Sequence, residues 1–350
     1  MKRLWVLLSI GIVMGTISTE LYAQFTSLEN KEIFTSGIGQ DIIDVIKKSP
    51  KESRIEIRGF TERSERIIKA EEIVFEPRAT LELSNLSESA VIIVAKKLIF
   101  QNGKELHKIQ RVHKDPKKGS PVSKGSPGTS YDPHTCQDGH EGRNGEPGGD
   151  GVKGADMKKA AALPTYYLIA GEFVELVESP ESFPTIFIEV PGLKGDEGGD
   201  GGDGGDGGNG EKGYTGVSYL IGCAKGPGNG GNGGPGGNGG PGGNGGDGGD
   251  GAGIVLGGPP EFLKRARAFR INNIGGEPGE KGMGGQVGRP GERGRRGCPR
   301  GNCNGGHDGR PGNNSGRVPG RDGEPGKESG KPGEITLIQL QKEQIDAFFK

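Results

Sequence analysis

Glycine at every third position, sustained over two long stretches, constrains this chain more than anything else in it. The glycines run from Gly195 to Gly216 and again from Gly228 to Gly249, and most of these triplets carry a second glycine beside the first. Three residues per turn is the period of a left-handed polyproline-II-type helix, which forms no hydrogen bonds within itself. Its backbone donors and acceptors must therefore find partners on neighbouring segments or in water. Only a residue without Cβ lets two backbones approach that closely. A triplet with one glycine offers one bare face, whereas a triplet with two offers two bare faces and one decorated edge, which suits an inner strand. At about 3.1 Å per residue, one inner stretch spans roughly 70 Å. A turn at Val217 to Ala224, or association with other chains, has to supply the partners such a stretch lacks on its own.

The doubled triplets resemble the polyglycine-II bundles of some glycine-rich antifreeze proteins and phage tail-fibre tip adhesins. Outside them, glycine holds strict period three from Gly139 to Gly154, makes eight uninterrupted Gly-x-y triplets from Gly276 to Pro299, and continues in broken form from Gly306 to Gly333. These outer tracts resemble bacterial collagen-like proteins. The resemblance covers Gly139 to Gly333 in pieces. It implies a backbone architecture and a structural role, and says almost nothing of a ligand.

With 72 glycines and 23 prolines among 350 residues, the composition is one in which low-complexity structure is the ordinary outcome, and periodicity argues against plain disorder. The formal net charge of -1 gives no overall attraction to nucleic acid or to a membrane surface. Charge is uneven along the chain, however. Six acids and one lysine lie between Gly195 and Gly216, against eleven bases and seven acids between Gly276 and Gly333. Lys2 and Arg3, an apolar run from Leu4 to about Ile17, and Leu21-Tyr22-Ala23 read as a cleavable secretory signal over residues 1–23. No second apolar run is long enough to span a membrane. The chain is accordingly expected to be secreted, whether extracellular, at the cell surface or in the periplasm, and its four cysteines, Cys136, Cys223, Cys298 and Cys303, to form two disulfides.

The fold expected is mainly β with glycine-rich extended tracts: a β-solenoid or β-sandwich body plus bundled period-three glycine helices. After the signal come an N-terminal β-rich domain with a short helix (24–113) and a flexible linker (114–135). A glycine-repeat region (136–333) follows, interrupted by β segments at 157–191, 217–225 and 253–274, and then a C-terminal strand and helix (334–350). The helix falls at Ile38 to Lys48, ended by Pro50. The stretches Ile68 to Phe75 and Ile93 to Phe100 share an apolar-x-Ala-x-x-apolar-apolar-Phe frame 25 residues apart, a spacing that suggests stacked rungs.

No constellation for catalysis stands out. The Gly-x-Gly-x-x-Gly string from Gly226 to Gly231 is what any glycine tract produces, and the five histidines read as turn or linker residues. No enzyme activity and no cofactor are expected. Asp200, Asp203 and Asp206 share one edge, with successive carboxylates roughly 9 Å apart. A calcium site would have to add Asp247 or Asp250 from an adjacent strand, and the alternative is a solvated edge. His134, Cys136 and His140 offer three metal ligands but no fourth. Gly288-Arg289-Pro290-Gly291-Glu292-Arg293 resembles the hexapeptide by which fibrillar collagens engage integrins, which makes Arg289, Glu292 and Arg293 candidate receptor contacts. For the disulfides, the pairing expected is Cys298 with Cys303, a local bridge capping the tract where the strict triplets end, and Cys136 with Cys223, which requires the chain to fold back on itself.

The function expected is that of an exported, non-enzymatic structural or cell-surface protein with a mechanical or adhesive role. The alternatives are a collagen-like trimer and a carbohydrate- or receptor-binding adhesin whose specificity lies in turns such as Val217 to Ala224. Partners would be copies of itself, other surface or matrix components, or a carbohydrate or protein receptor, with no nucleic acid and no membrane span.

Overall fold

A computed structural model describes residues 33–35, 38–101, 106–120, 122–130, 143, 145–176 and 185–350. The expected signal, and with it His134, Cys136 and His140, lie outside the described residues. The chain opens with β1 (Ile33–Thr35) and α1 (Gln40–Lys48), then runs through β2 (Glu52–Ile57), β3 (Phe60–Arg63), β4 (Ile67–Phe75), β5 (Thr80–Leu83), β6 (Ala90–Gln101) and β7 (Leu106–Arg111). Strands β8 (Thr165–Leu176) and β9 (Thr185–Glu189) follow, then the small pair β10 (Val217–Tyr219) and β11 (Gly222–Lys225). It ends with β12 (Ile254–Gly258), α2 (Pro260–Ala266), β13 (Arg270–Asn272), β14 (Ile335–Gln339), α3 (Lys342–Asp346) and a 3-10 turn at Ala347–Phe349.

Two sheets carry the fold. Seven strands order as β1-β14-β12-β8-β6-β4-β2 and five as β13-β9-β7-β5-β3, with every described pairing in both sheets parallel. Strands this rich in Ile, Val and Phe can be buried on both faces, and parallel sheets need that burial. Side-chain alternation in β6 does the sorting. Val91, Ile93 and Ala95 enter the core between the two sheets, while Ala90, Ile92 and Val94 enter a second core that includes Ile42 and Ile46 of α1 and Phe348 and Phe349 of the C-terminal turn. Lys69, buried in β4, donates to the carbonyls of Ile46 and Ser49 at 2.9 and 3.2 Å and so ties α1 to the sheet at its C-terminal end. The rhyming stretches of β4 and β6 are direct neighbours, Ile68 opposite Ile93 and Phe75 opposite Phe100, and the two phenyl rings stack at 4.8 Å. His107 is a fully buried residue of β7 set edge-on to Phe100 at 5.1 Å, not the turn residue the sequence suggested.

This architecture corrects the expected fold. In place of a solenoid or sandwich body with separate bundled glycine helices, the chain builds two wholly parallel sheets with few helices, a pairing characteristic of α/β proteins. Helix α1, α3 and the C-terminal turn make a layer on the outer face of the larger sheet, whereas Phe262, Leu263 and Ala266 of α2 join the core between the sheets, and the strands come from the whole length of the chain. A sandwich fails physically because its outer faces would be polar, whereas β6 buries both of its faces. Among the described residues the glycine tracts contain no α- or 3-10 helix.

Those tracts leave the sheets and come back three times: between β7 and β8, between β9 and β12, and between β13 and β14. Each excursion is an outward and a returning segment. The outward segments pair in parallel with one another, as Gly119 N–H donating to Glu197 O and Gly201 N–H to Met283 O show, and so do the returning ones, as with Gly151 N–H to Asn238 O and Gly242 N–H to Arg321 O. Outward and returning segments are antiparallel: Gly240 N–H donates to Gly202 O and Gly237 N–H to Gly205 O. The order of the segments thus continues the order of the strands they leave. Gly119, Gly125 and Gly128, in the stretch the sequence assigns to a flexible linker, belong to the first outward segment.

Candidate functional site

The feature that stands out for contact with another body is the end of the second excursion, farthest from the sheets. Its support is built from backbone. The doubled-glycine segments, residues 192–216 and 228–251, are flanked by the other segments on several sides, and their bare faces receive backbone from each. A Cβ built on Gly202 would lie 2.3 Å from Ser123 O, and one on Gly240 2.2 Å from Val152 O. No tract glycine of these two segments takes a positive φ, so it is the missing Cβ and not left-handed backbone that the packing uses.

The third residue of the triplet adds a second tier of bonds. Asp200, Asp203 and Asp206 accept the backbone N–H groups of Met283, Gln286 and Arg289 at 3.0, 2.7 and 2.9 Å. Asn209 receives Glu292 N–H in the same way, Asp247 receives Lys327 and Glu328, and Asp250 receives Lys331. The five candidate calcium ligands are therefore cross-segment acceptors. Ionic partners join them: Lys118 on Asp200 at 2.7 Å, Lys124 on Asp206 at 3.1 Å and Lys159 on Asp250 at 3.0 Å. The carboxyl of Asp200 is held below its ordinary value by the Lys118 bond first and the Met283 N–H next, and that of Asp247 by the Glu328 and Lys327 amides. Asp203 and Asp200 hold one segment while Asp247 and Asp250 hold another, and among the described residues no group of three or more metal-ligating side chains converges.

Arg289, Glu292 and Arg293 are exposed on the outward segment of the third excursion. Arg289 and Glu292 have their backbone N–H groups bound to Asp206 and Asn209, and Arg293 lies 3.7 Å from Asp308. The partners that a collagen triple helix takes from two other chains come here from other segments of the same chain.

At the far end the second excursion turns through an antiparallel hairpin, β10 with β11. Its tip is Tyr219, Leu220 and Ile221, 72, 105 and 99 % exposed. Cys223 on β11 is bonded to Cys303, with their Cα atoms 4.9 Å apart, which fixes the hairpin to the turn that ends the third excursion. This corrects the expected pairing of Cys298 with Cys303 and of Cys136 with Cys223. Cys303 sits in a tight turn with Gly301 at φ +57°, where Arg300 bridges back to Cys303, and that turn faces Ser218 of the hairpin. Cys298 is also disulfide-bonded, and Cys136 lies outside the described residues.

Lys225 and Arg300 stand at the base of the hairpin, and along the last turns of the array behind it, level with residues 211–213, stand Arg143, Lys212, Arg293, Arg295 and Arg296, against Glu211 and Asp308. Glu211 is buried and paired with Arg143 at 3.0 Å. Asp308 accepts the Arg296 N–H at 2.9 Å, and this bond, then the charges of Arg293, Arg296 and Arg295, hold its carboxyl below the ordinary value. The overall balance of the chain concealed this local excess. The sequence marked Val217 to Ala224 as a turn and as a seat of adhesin specificity, but not the charge that gathers behind it.

Elsewhere lies an open groove of about 1040 Å³ between Gly171–Phe173, the start of α2 and the start of α3, with Glu172, Glu261, Lys264, Arg265, Lys342 and Glu343 on its walls. Its charges are mixed, and no nucleophile with an adjacent base lines it. Among the described residues no helix is long and apolar enough to cross a membrane.

No family model matches the chain, and no curated protein does. Among solved structures it is matched to the nine polyproline type II helical bundle antifreeze protein of the springtail Granisotoma rainieri, at 22% identity over 54% of this chain and 98% of that one, with a TM-score of 0.08. A superposition that poor carries no argument about fold or function.

Proposed function

We propose that the chain is an exported, non-enzymatic, glycine-rich surface protein whose role is adhesive. Its glycine segments act as a stiff projection and its hairpin tip as the contact. The observation that carries this reading is the exposure of Tyr219, Leu220 and Ile221 at the end of a laterally hydrogen-bonded array, roughly 70 Å from the sheets at about 3.1 Å per residue. Apolar side chains so exposed favour contact with another body, and scattered single ones would not. The array supplies what a contact element needs: it is held without an apolar core, and its order is established before any partner arrives.

Beads coated with the full chain, presented under flow to lipid, polysaccharide and protein films, test the reading. Adhesion to at least one film is expected to fall tenfold or more when Tyr219, Leu220 and Ile221 are all replaced by serine. Equal adhesion by both proteins on every film would overturn it.

A further inference from the structure

We propose that the hairpin end docks on an anionic lipid bilayer, with Tyr219, Leu220 and Ile221 entering the interface and the surrounding arginines and lysines pairing with lipid phosphates; this rests on the adhesive reading above. Three observations converge on that partner. The tip is convex and apolar, and it belongs to neither hydrophobic core. Three contiguous side chains on a turn have no groove to fill, but they reach the depth at which interfacial residues sit, with the tyrosine hydroxyl left at headgroup level. From the level of Gly213 to the hairpin the exposed charge has one sign: Lys225, Arg295, Arg296 and Arg300 are exposed, Glu211 is buried on Arg143, and Asp308 is paired with Arg293. An apolar insert with a basic collar is the two-signal arrangement that peripheral membrane contact requires, since neither signal suffices alone.

Stiffness supplies the third observation. The Cys223–Cys303 bond and the antiparallel β10–β11 pairing hold the tip, and Gly216 N–H on Cys298 O, Gly228 N–H on Tyr214 O and Gly297 N–H on Gly228 O hold its base. A loop ordered in advance loses little entropy on insertion, so three side chains count for more here than on a free loop. An anionic polysaccharide would also be drawn to the collar, but it would gain nothing from Leu220 and Ile221. That difference separates the two partners.

Flotation of the full chain with vesicles decides the matter. Binding is expected to vesicles of equal parts phosphatidylcholine and phosphatidylglycerol and to be weak on pure phosphatidylcholine, because each basic residue near an anionic surface contributes roughly fivefold. Leu220→Ser with Ile221→Ser is expected to lower partitioning at least tenfold, and Arg295→Glu with Arg296→Glu to lower it similarly and flatten its salt dependence. All four positions are exposed, so both variants are expected to keep the wild-type circular dichroism and melting. Equal binding to both kinds of vesicle, no binding to either, or binding indifferent to the Leu220 and Ile221 changes would overturn the inference, the last outcome pointing to a polyanion. If vesicles fail while tip-dependent bead adhesion persists on another film, the lipid partner falls and the adhesive reading stands. If tip dependence is lost on every film, both fall.

Discussion

The parallel sheets and the glycine segments are held together by opposite means. Between the sheets, Phe75, Phe100, Leu81, Ile57 and Leu98 are essentially inaccessible, and cohesion comes from apolar side chains taken out of water. In the glycine segments there is nothing comparable to bury: contact is backbone on backbone, one lateral N–H to carbonyl bond per triplet where glycine is single and two where it is doubled, with Asp and Asn edges adding a further one. One region depends on atoms that are present and the other on atoms that are missing. The sheets should therefore fail by subtraction and the glycine segments by addition.

The largest effects test that opposition directly. Phe100→Ala is expected to destabilise the sheets by about 3–5 kcal/mol, read from urea unfolding by far-ultraviolet circular dichroism. Gly240→Ala adds a single carbon that would sit 2.2 Å from Val152 O, a backbone atom that cannot swing away. It is expected to cost about 1–3 kcal/mol, with faster hydrogen exchange around residues 202, 240 and 285. Gly222→Ala, with nothing within 4 Å, is the control, expected to be neutral or slightly stabilising. If Gly240→Ala behaves like Gly222→Ala, the glycine segments are not close-packed and the contrast between the two regions is lost.

Next in size is the Cys223–Cys303 bond. It joins residues 80 apart, and replacing both cysteines by serine is expected to cost about 2–4 kcal/mol, the usual range for a disulfide. The loss should be confined to residues 217–230 and 298–309, seen by exchange mass spectrometry of the native protein. Equal loss of protection in β4, β6 and β8 would mean that the two regions unfold as one and are not separate structures sharing a chain.

Period three was legible in the sequence as a demand for lateral partners, and doubled glycine marked the segments that have neighbours on several sides. The repeat at Ile68 and Ile93 was legible because those residues are adjacent in a sheet. What stayed hidden was long-range order. Strands β8, β9, β12, β13 and β14 join the sheets begun by β2 to β7, and nothing local to Ile254–Gly258 says that it lies between β8 and β14. The disulfide was misread for the same reason. Nearness in sequence across one turn suggests Cys298 with Cys303, but the turn at Gly301 and the Val217–Lys225 hairpin meet at one end of the array and bring Cys303 to Cys223. The basic collar escaped notice because charges that surround one point in space come from residues as distant as Arg143 and Arg300.

Arg111 sits where the two regions join. It is buried at the end of β7 and donates to Pro191 O, Gly192 O and Val112 O at 2.6, 3.1 and 2.8 Å, which anchors the start of the second excursion. Arg111→Met keeps much of the apolar stem and removes the donors. The expected loss is about 2 kcal/mol, a figure in the range for bonds to a charged group, visible as a lowered melting temperature. A melting temperature equal to wild type would show that the lateral bonds of the segments alone suffice to hold the junction.

The smallest effect is the most local and separates two kinds of edge within the glycine region. Along residues 228–251 the acceptors nearest the hairpin are asparagines, with Asn229, Asn232 and Asn238 receiving the N–H groups of His307, Arg310 and Val318 at 2.8, 2.7 and 3.0 Å. Nearest the sheets they are carboxylates: Asp247 receives Lys327 and Glu328, and Asp250 receives Lys331. The carboxyl of Asp247 is held below its ordinary value of 3.8 by the Glu328 and Lys327 amides, and that of Asp250 by the Lys331 amide and then Lys159. A carboxyl depressed in the folded state stabilises that state fully above 3.8, its value when unfolded, and loses the contribution as pH falls through the lower folded value. Amide amides do not titrate, so the asparagine edge keeps its bonds in acid. Between pH 7 and pH 3, protection at Lys327, Glu328 and Lys331, corrected for intrinsic exchange rates, is expected to fall relative to that at His307, Arg310 and Val318. Parallel loss at both sets would mean that acid loosens the whole array through net charge and that the side-chain edges contribute nothing local.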